Sequence, residues 1–172
     1  MNTNTETTAA YRPSLAFYHA NAKCTGCAAN FELHPAHDAV DGYMFVRMAN
    51  QMTLADRAAN PPVYPRFDWD NEITFKLDVI EVARLVRVLR GEEESLEDGK
   101  GLFHISAEGS MRVCFRHMVE PLNCYSLEAY RRTKDGKEDN ARIILATAEA
   151  TALCLAFEMS IVPIAFGVPR VD

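Results

Sequence analysis

A chain of 172 residues, 48% hydrophobic and 24% charged, has enough length for one sizeable core and an ordinary globular composition. Its net charge of −6 and pI of about 5.4 give no general basic field, which counts against strong non-specific binding of duplex DNA. Five cysteines do not make a disulfide scaffold, so they are read as reduced thiols.

The opening stretch, MNTNTETTAAYRP, has neither an apolar signal region nor an Arg-rich amphipathic pattern. It reads as a polar tail over residues 1–13 of a cytoplasmic protein, nucleoid-associated or, for a viral source, in the host cytoplasm. Segments 14–20, 28–34, 43–49 and 72–77 then read as strands, because apolar and polar residues alternate along them. Between the third and fourth, TLADRAANPPVYPRF carries three prolines and reads as an excursion over the surface. The period changes at Asp78, which with Glu81 matches a capping box. Val79, Val82, Val86 and Leu89 follow at helical spacing, Arg84, Arg87 and Arg90 form a solvated outer row, and Gly91 is the stop. Glu92, Glu93, Glu94, Glu97 and Asp98 make the 92–100 segment an acidic, solvated loop.

Strand period returns in GLFHISA, MRVCFRHMV, CYSLEAYRRT and ARIILA, which EGS, EPLN and KDGKED separate with turn chemistry. The last element, ATAEATALCLAFEMSIVPIAFG, is apolar on nearly all sides, with Thr147 as its expected N-cap and Pro163 and Gly167 at its end. Glu149, Glu158 and Pro163 interrupt it, so it is read as a core helix and not as a membrane span. The order predicts an α+β fold of two four-stranded antiparallel sheets, each followed by a helix, in halves of about 14–91 and 101–168. Short connections favour antiparallel meanders over a parallel βαβ sheet. A helix apolar all round needs cover all round. Leu153, Leu155, Phe157, Met159, Ile161, Val162 and Phe166 are therefore expected to be buried, partly by further copies of the chain.

Four stretches resemble the Whirly family of single-stranded DNA-binding proteins, within the wider set that includes PUR-type and kinetoplastid guide-RNA-binding folds. They are FDWDNEITFKLDVIEVARLV, VEPL at Val119–Leu122, the closing ATAEATALCLAFEMSIVPIAFG and, faintly, TGCAANFEL at Thr25–Leu33. In the last, Thr25 and Cys27 stand where the family has lysines. The resemblance spans roughly residues 14–168. It implies one nucleic-acid-binding domain there, with the two sheets roughly perpendicular and the helices at the centre of a homo-tetramer. It also implies single-stranded DNA bound across the sheet edges with little sequence preference.

Such a ligand calls for cations to meet phosphates and flat side chains to stack on bases. Tyr43, Phe45 and Arg47 share one strand face; Arg112 and Arg116 share another; Tyr130 and Arg132 point together; Lys76 points away from Phe75 and Leu77. With Lys23 and Phe31, these are the candidate binding residues. Residues 109–137 hold six basic residues against three acids, the most basic sheet region. Trp69, the single tryptophan, is expected to pack in the core. Cys24 and Cys27 at C-x-x-C spacing read as half a zinc site with His19, His34 or His37, as a redox pair, or as a strand turn, and the residues favour the turn. There is no phosphate-cradling glycine loop, nucleophile elbow or paired-histidine helix motif. No enzyme, cofactor, metal, membrane or small-molecule substrate is therefore expected. The expected function is single-stranded DNA binding in replication, recombination or repair. The alternatives are an RNA-binding or transcription-regulating protein of the same fold, or an interaction scaffold without a nucleic-acid role.

Overall fold

The computed structural model describes residues 12–168. Alternation decides the strands. In β3 (Tyr43–Asn50), Met44, Val46 and Met48 are buried while Tyr43, Phe45 and Arg47 lie half-buried on the other face. With β1 (Ser14–His19), β2 (Cys27–His34) and β4 (Ile73–Leu77) it forms an antiparallel sheet in the order β1-β2-β3-β4. A second antiparallel sheet runs β5 (Leu102–Ser106), β6 (Gly109–Met118), β7 (Cys124–Thr133) and β8 (Glu138–Ala146) in simple order. Helix α1 (Val79–Leu89) follows the first sheet and α2 (Thr147–Phe166) the second, as expected. β6 and β8 begin two and three residues earlier than alternation suggests, because Gly109 pairs with Thr133 and Glu138 with Arg132 across polar strand ends.

Helix α1 starts on the expected capping box. The Asp78 carboxylate accepts from the Glu81 N–H at 2.8 Å, and the Glu81 carboxylate accepts from the Asp78 N–H at 3.1 Å. The N-cap of α2 is Ala146 and not Thr147: Glu149 accepts from the Ala146 N–H, and the Thr147 hydroxyl instead donates to the Asn123 carbonyl at 2.8 Å. Gly167, at φ +78, ends α2, and the Pro163 carbonyl accepts from both the Gly167 and Ala36 N–H groups. This seats the helix end on the β2–β3 connection.

The two helices pack on each other and on the inner faces of the sheets. Phe31 meets Phe157 edge to face at 5.5 Å, and the Tyr125 hydroxyl donates to the Leu89 carbonyl at 3.3 Å. Leu153 and Phe157 are fully buried, which contributes about 1.5–3 kcal/mol for each such side chain. The sheets are also pinned to each other. Asn50 donates to the Asn140 carbonyl at 2.8 Å, and Arg131 donates to the Glu72 carbonyl at 3.1 Å.

By length and composition α2 matches a membrane-crossing helix, but it packs on both sheets and fills the core with Leu153, Phe157 and Ile164. Within one chain its cover is one-sided. Leu155, Met159, Val162 and Phe166 form one exposed stripe at helical spacing, with Met159 78% and Phe166 84% exposed. A helix lying on its own chain is covered on that side alone.

The acidic loop is also more structured than a solvated run. Leu96 is buried, the Glu94 carbonyl accepts from the His117 N–H, and the carboxylates reach α1. Arg84 meets Glu97 at 2.7 Å, Arg87 meets Glu93 at 3.1 Å, and Arg90 meets Glu92 at 3.7 Å and Glu158 at 2.8 Å.

Candidate nucleic-acid interface

On the outer face of the first sheet, the register aligns Glu32 with Phe45 and Lys76, His34 with Tyr43, and Arg47 with Thr74. His34 stacks on Tyr43 at 4.4 Å, and the Lys76 ammonium lies 4.2 Å from the Tyr43 ring centroid. Arg47 lies 5.4 Å from the Trp69 centroid while donating through Nε to both carboxylate oxygens of Glu72. Lys76, Tyr43, Phe45 and Arg47 are thus brought together on one face.

Trp69 is not a core residue. It sits on a short 3-10 turn (Trp69–Asn71) capped by Asp68, half-buried, with its ring edge against the exposed Tyr18 at 6.4 Å. Tyr18 in turn meets Phe67 at 5.7 Å. The aromatic–Asp–Trp spelling gave no cue to this outward turn. Phe31 is the opposite case: its ring is buried against Phe17 and Phe157, so it is withdrawn from the binding set. Lys23 lies apart from the sheet face, exposed in the β1–β2 turn.

On the outer face of the second sheet, Phe103, Arg112, Tyr130 and Asn140 run across the four strands in register. The Arg112 guanidinium lies 4.8 Å from the Tyr130 centroid. Phe103 and Ile105 are exposed beside it, Ile105 at 88%. They were missed, although alternation against the buried Leu102 would have found them. Arg112, Tyr130, Arg132 and Phe103 line a concavity of about 590 Å³.

The centre of this face is an acid, Glu128. It is buried and accepts from the Ser126 hydroxyl at 2.8 Å, from Arg116 at 3.0 Å and from the Tyr130 hydroxyl, with Arg142 at 3.4 Å. Burial pushes its carboxyl up, but these donors outweigh burial and hold it below the ordinary carboxylate value. The same hydrogen bond raises the Tyr130 hydroxyl above its usual value. Arg116 is therefore a paired cation, and Arg132 faces Glu138 at 3.6 Å.

Among the described residues, Lys23, Arg57, Arg66, Lys76, Lys100, Arg112 and Lys134 form no ion pair. These are the charges most readily available to an anion. No group of three potential metal ligands is gathered among the described residues. Cys27 is buried, and its thiol is pushed up to about 12 by that burial, which opposes thiolate chemistry at this C-x-x-C.

Two solved structures with this architecture are those of WHY1 and WHY3 from Arabidopsis thaliana. The match to WHY1 has a TM-score of 0.72 at 16% identity, covering 92% of this chain and 88% of that one. For WHY3 the TM-score is 0.71 at 17% identity, covering 93% and 92%. A guide-RNA-binding protein complex bound to a gRNA matches with a TM-score of 0.60 at 14% identity, covering 88% and 91%. No protein-family model and no curated protein sequence matches the chain. The fold is Whirly-type, as the sequence resemblance implied.

Proposed function

We propose that this Whirly-type chain binds single-stranded DNA with little sequence preference, across the outer faces of its sheets, and serves replication, recombination or repair. One observation carries the reading. Each sheet presents an unpaired cation lying over a tyrosine ring, Lys76 over Tyr43 and Arg112 over Tyr130, on a face turned away from the helices. An exposed ring such as Phe103 beside Arg112 serves any base as a stacking surface, whereas Tyr43 already holds His34 and Lys76 on its faces; an unpaired cation meets a phosphate without first losing an acidic partner. The fold shared with the gRNA-bound complex supports a nucleic-acid ligand and makes RNA the second reading.

The exposed stripe of Leu155, Met159, Val162 and Phe166 supports a homo-oligomer, with a tetramer as the proposed state, in which α2 is covered by its copies. The protein acts here as a binder and not as a catalyst, in the cytoplasm, with residues 14–168 as its binding domain.

Titration of the protein with oligo-dT at low salt, read by quenching of the single tryptophan, tests this. Saturable quenching with a steep salt dependence is expected; no binding at low salt overturns the proposal. Competition by an RNA strand of the same length separates the two ligand readings. Solution mass with and without the oligonucleotide tests the assembly.

A further inference from the structure

The 51–68 excursion builds a second locus away from the two sheet faces. It folds back on itself through an Asp56–Val63 bridge and is anchored by the buried Gln51. The Gln51 side-chain oxygen accepts from the Asn21 N–H at 2.8 Å and the Gly26 N–H at 3.2 Å. Its amide donates to the Asn21 and Thr53 carbonyls at 3.1 and 3.0 Å. Between the excursion and the β1–β2 turn lies a cavity of about 680 Å³. Ala20, Leu54, Pro62 and Val63 give it apolar walls, Tyr64 and Arg57 stand among them, and no acid lines it. Tyr64 is 79% exposed.

One cation without an ion pair lines this cavity, and two more are chain neighbours of its lining residues. Arg57 lines it, Lys23 follows the lining residue Ala22, and Arg66 follows the lining residue Pro65. The two acids of the excursion are committed elsewhere. Asp56 accepts from the Ala58 and Ala59 N–H groups, and Asp68 accepts from Asn71. The Tyr18–Phe67 and Tyr18–Trp69 contacts, with Arg47 over Trp69, run from this locus onto the outer face of the first sheet.

We infer that this cavity takes one unpaired nucleotide of a bound strand, its base against Tyr64 and the apolar wall and its phosphates on Arg57, Lys23 and Arg66. This rests on the proposed single-strand reading. The unpaired cations and the acid-free wall fit a polyanion better than an apolar peptide, and the aromatic run gives the strand a path from the sheet.

The test compares the full chain with the exposed-site variants Tyr64→Ala and Arg57→Ala and with Arg112→Ala on the second sheet. Each is titrated with fluorescent oligo-dT over a range of salt. The expected result for Tyr64→Ala is about five-fold weaker binding or more. Arg57→Ala lowers the salt slope by about 0.7. An oligonucleotide carrying 5-iodouracil is expected to crosslink within the 51–68 excursion. If Arg112→Ala weakens binding while Tyr64→Ala and Arg57→Ala match the unaltered chain and no crosslink maps to the excursion, the inference is overturned and the single-strand reading stands. If the unaltered chain binds no oligo-dT, both fall.

Discussion

Helix α1 and the sheet faces carry the same kind of cation and use it differently. On α1, Arg84, Arg87 and Arg90 are each answered by a carboxylate from the acidic loop or α2. On the sheets, Lys76 and Arg112 have no acid and lie over tyrosine rings instead. A count of basic residues would rank the helix, with three, above the first sheet, with Arg47 and Lys76. Pairing reverses the order, because a cation already neutralised must lose its partner before it gains a phosphate. The acidic loop thus removes one arginine row from competition, and the available charge is left beside stacking surfaces.

The largest effect expected from breaking this contrast is at the second sheet. Tyr130→Ala removes the ring under Arg112, and oligo-dT binding should weaken by about 1–3 kcal/mol in a fluorescence titration. An unchanged affinity would place the strand elsewhere. A smaller effect should appear on α1. Changing Glu92 and Glu93 together to glutamine frees Arg87. The salt slope of binding should steepen by about 0.7 if α1 lies within reach of the strand, and folding stability should fall by less than about 1 kcal/mol. If the slope stays fixed, the helix is remote from the ligand as well as neutralised.

The effect confined to one pH range concerns an ion pair more sheltered than those of the α1 arginines. His104 on β5 meets Glu81 of the α1 capping box at 2.7 Å. The Glu81 hydrogen bond raises the His104 pKa in spite of burial. Burial works to raise Glu81, but the His104 and Asp78 hydrogen bonds hold it low. The histidine part of this stability is fully present below its unfolded value of about 6.5 and is lost as pH rises through its higher folded value. The glutamate part is present above its unfolded value and is lost as pH falls through its lower folded one. Against His104→Gln, the native chain should therefore gain about 1 kcal/mol, or about 2–4 °C in Tm, near pH 6 and lose that margin at alkaline pH. A margin independent of pH would deny the charged pair.

Much of the fold was legible because its signals are local. Period-two alternation marked Met44, Val46 and Met48 as one face of β3, and Asp78 with Glu81 announced the start of α1. What alternation cannot supply is which face the helices cover. It separated Phe31 from Asn30 and Glu32 but did not show that Phe157 would claim the phenylalanine. Trp69 misled for a related reason. It lies between the irregular excursion that ends at Phe67 and the next strand, and the Asp68-capped turn that aims the indole outward is a feature of side-chain hydrogen bonding. The Glu128 network was invisible for a third reason: its donors come from β6, β7 and β8, and only register brings them to one carboxylate.

The links from Asn50 to Asn140 and from Arg131 to Glu72 each run from a side chain of one half to a backbone carbonyl of the other, so they fasten tip to frame. Links of this kind hold the two sheets at one spacing in the structure. On the proposed single-strand reading, the molecule would work as a caliper of set width. Lengthening an oligonucleotide should raise its affinity in a single jump, once the chain of bases first reaches the far jaw.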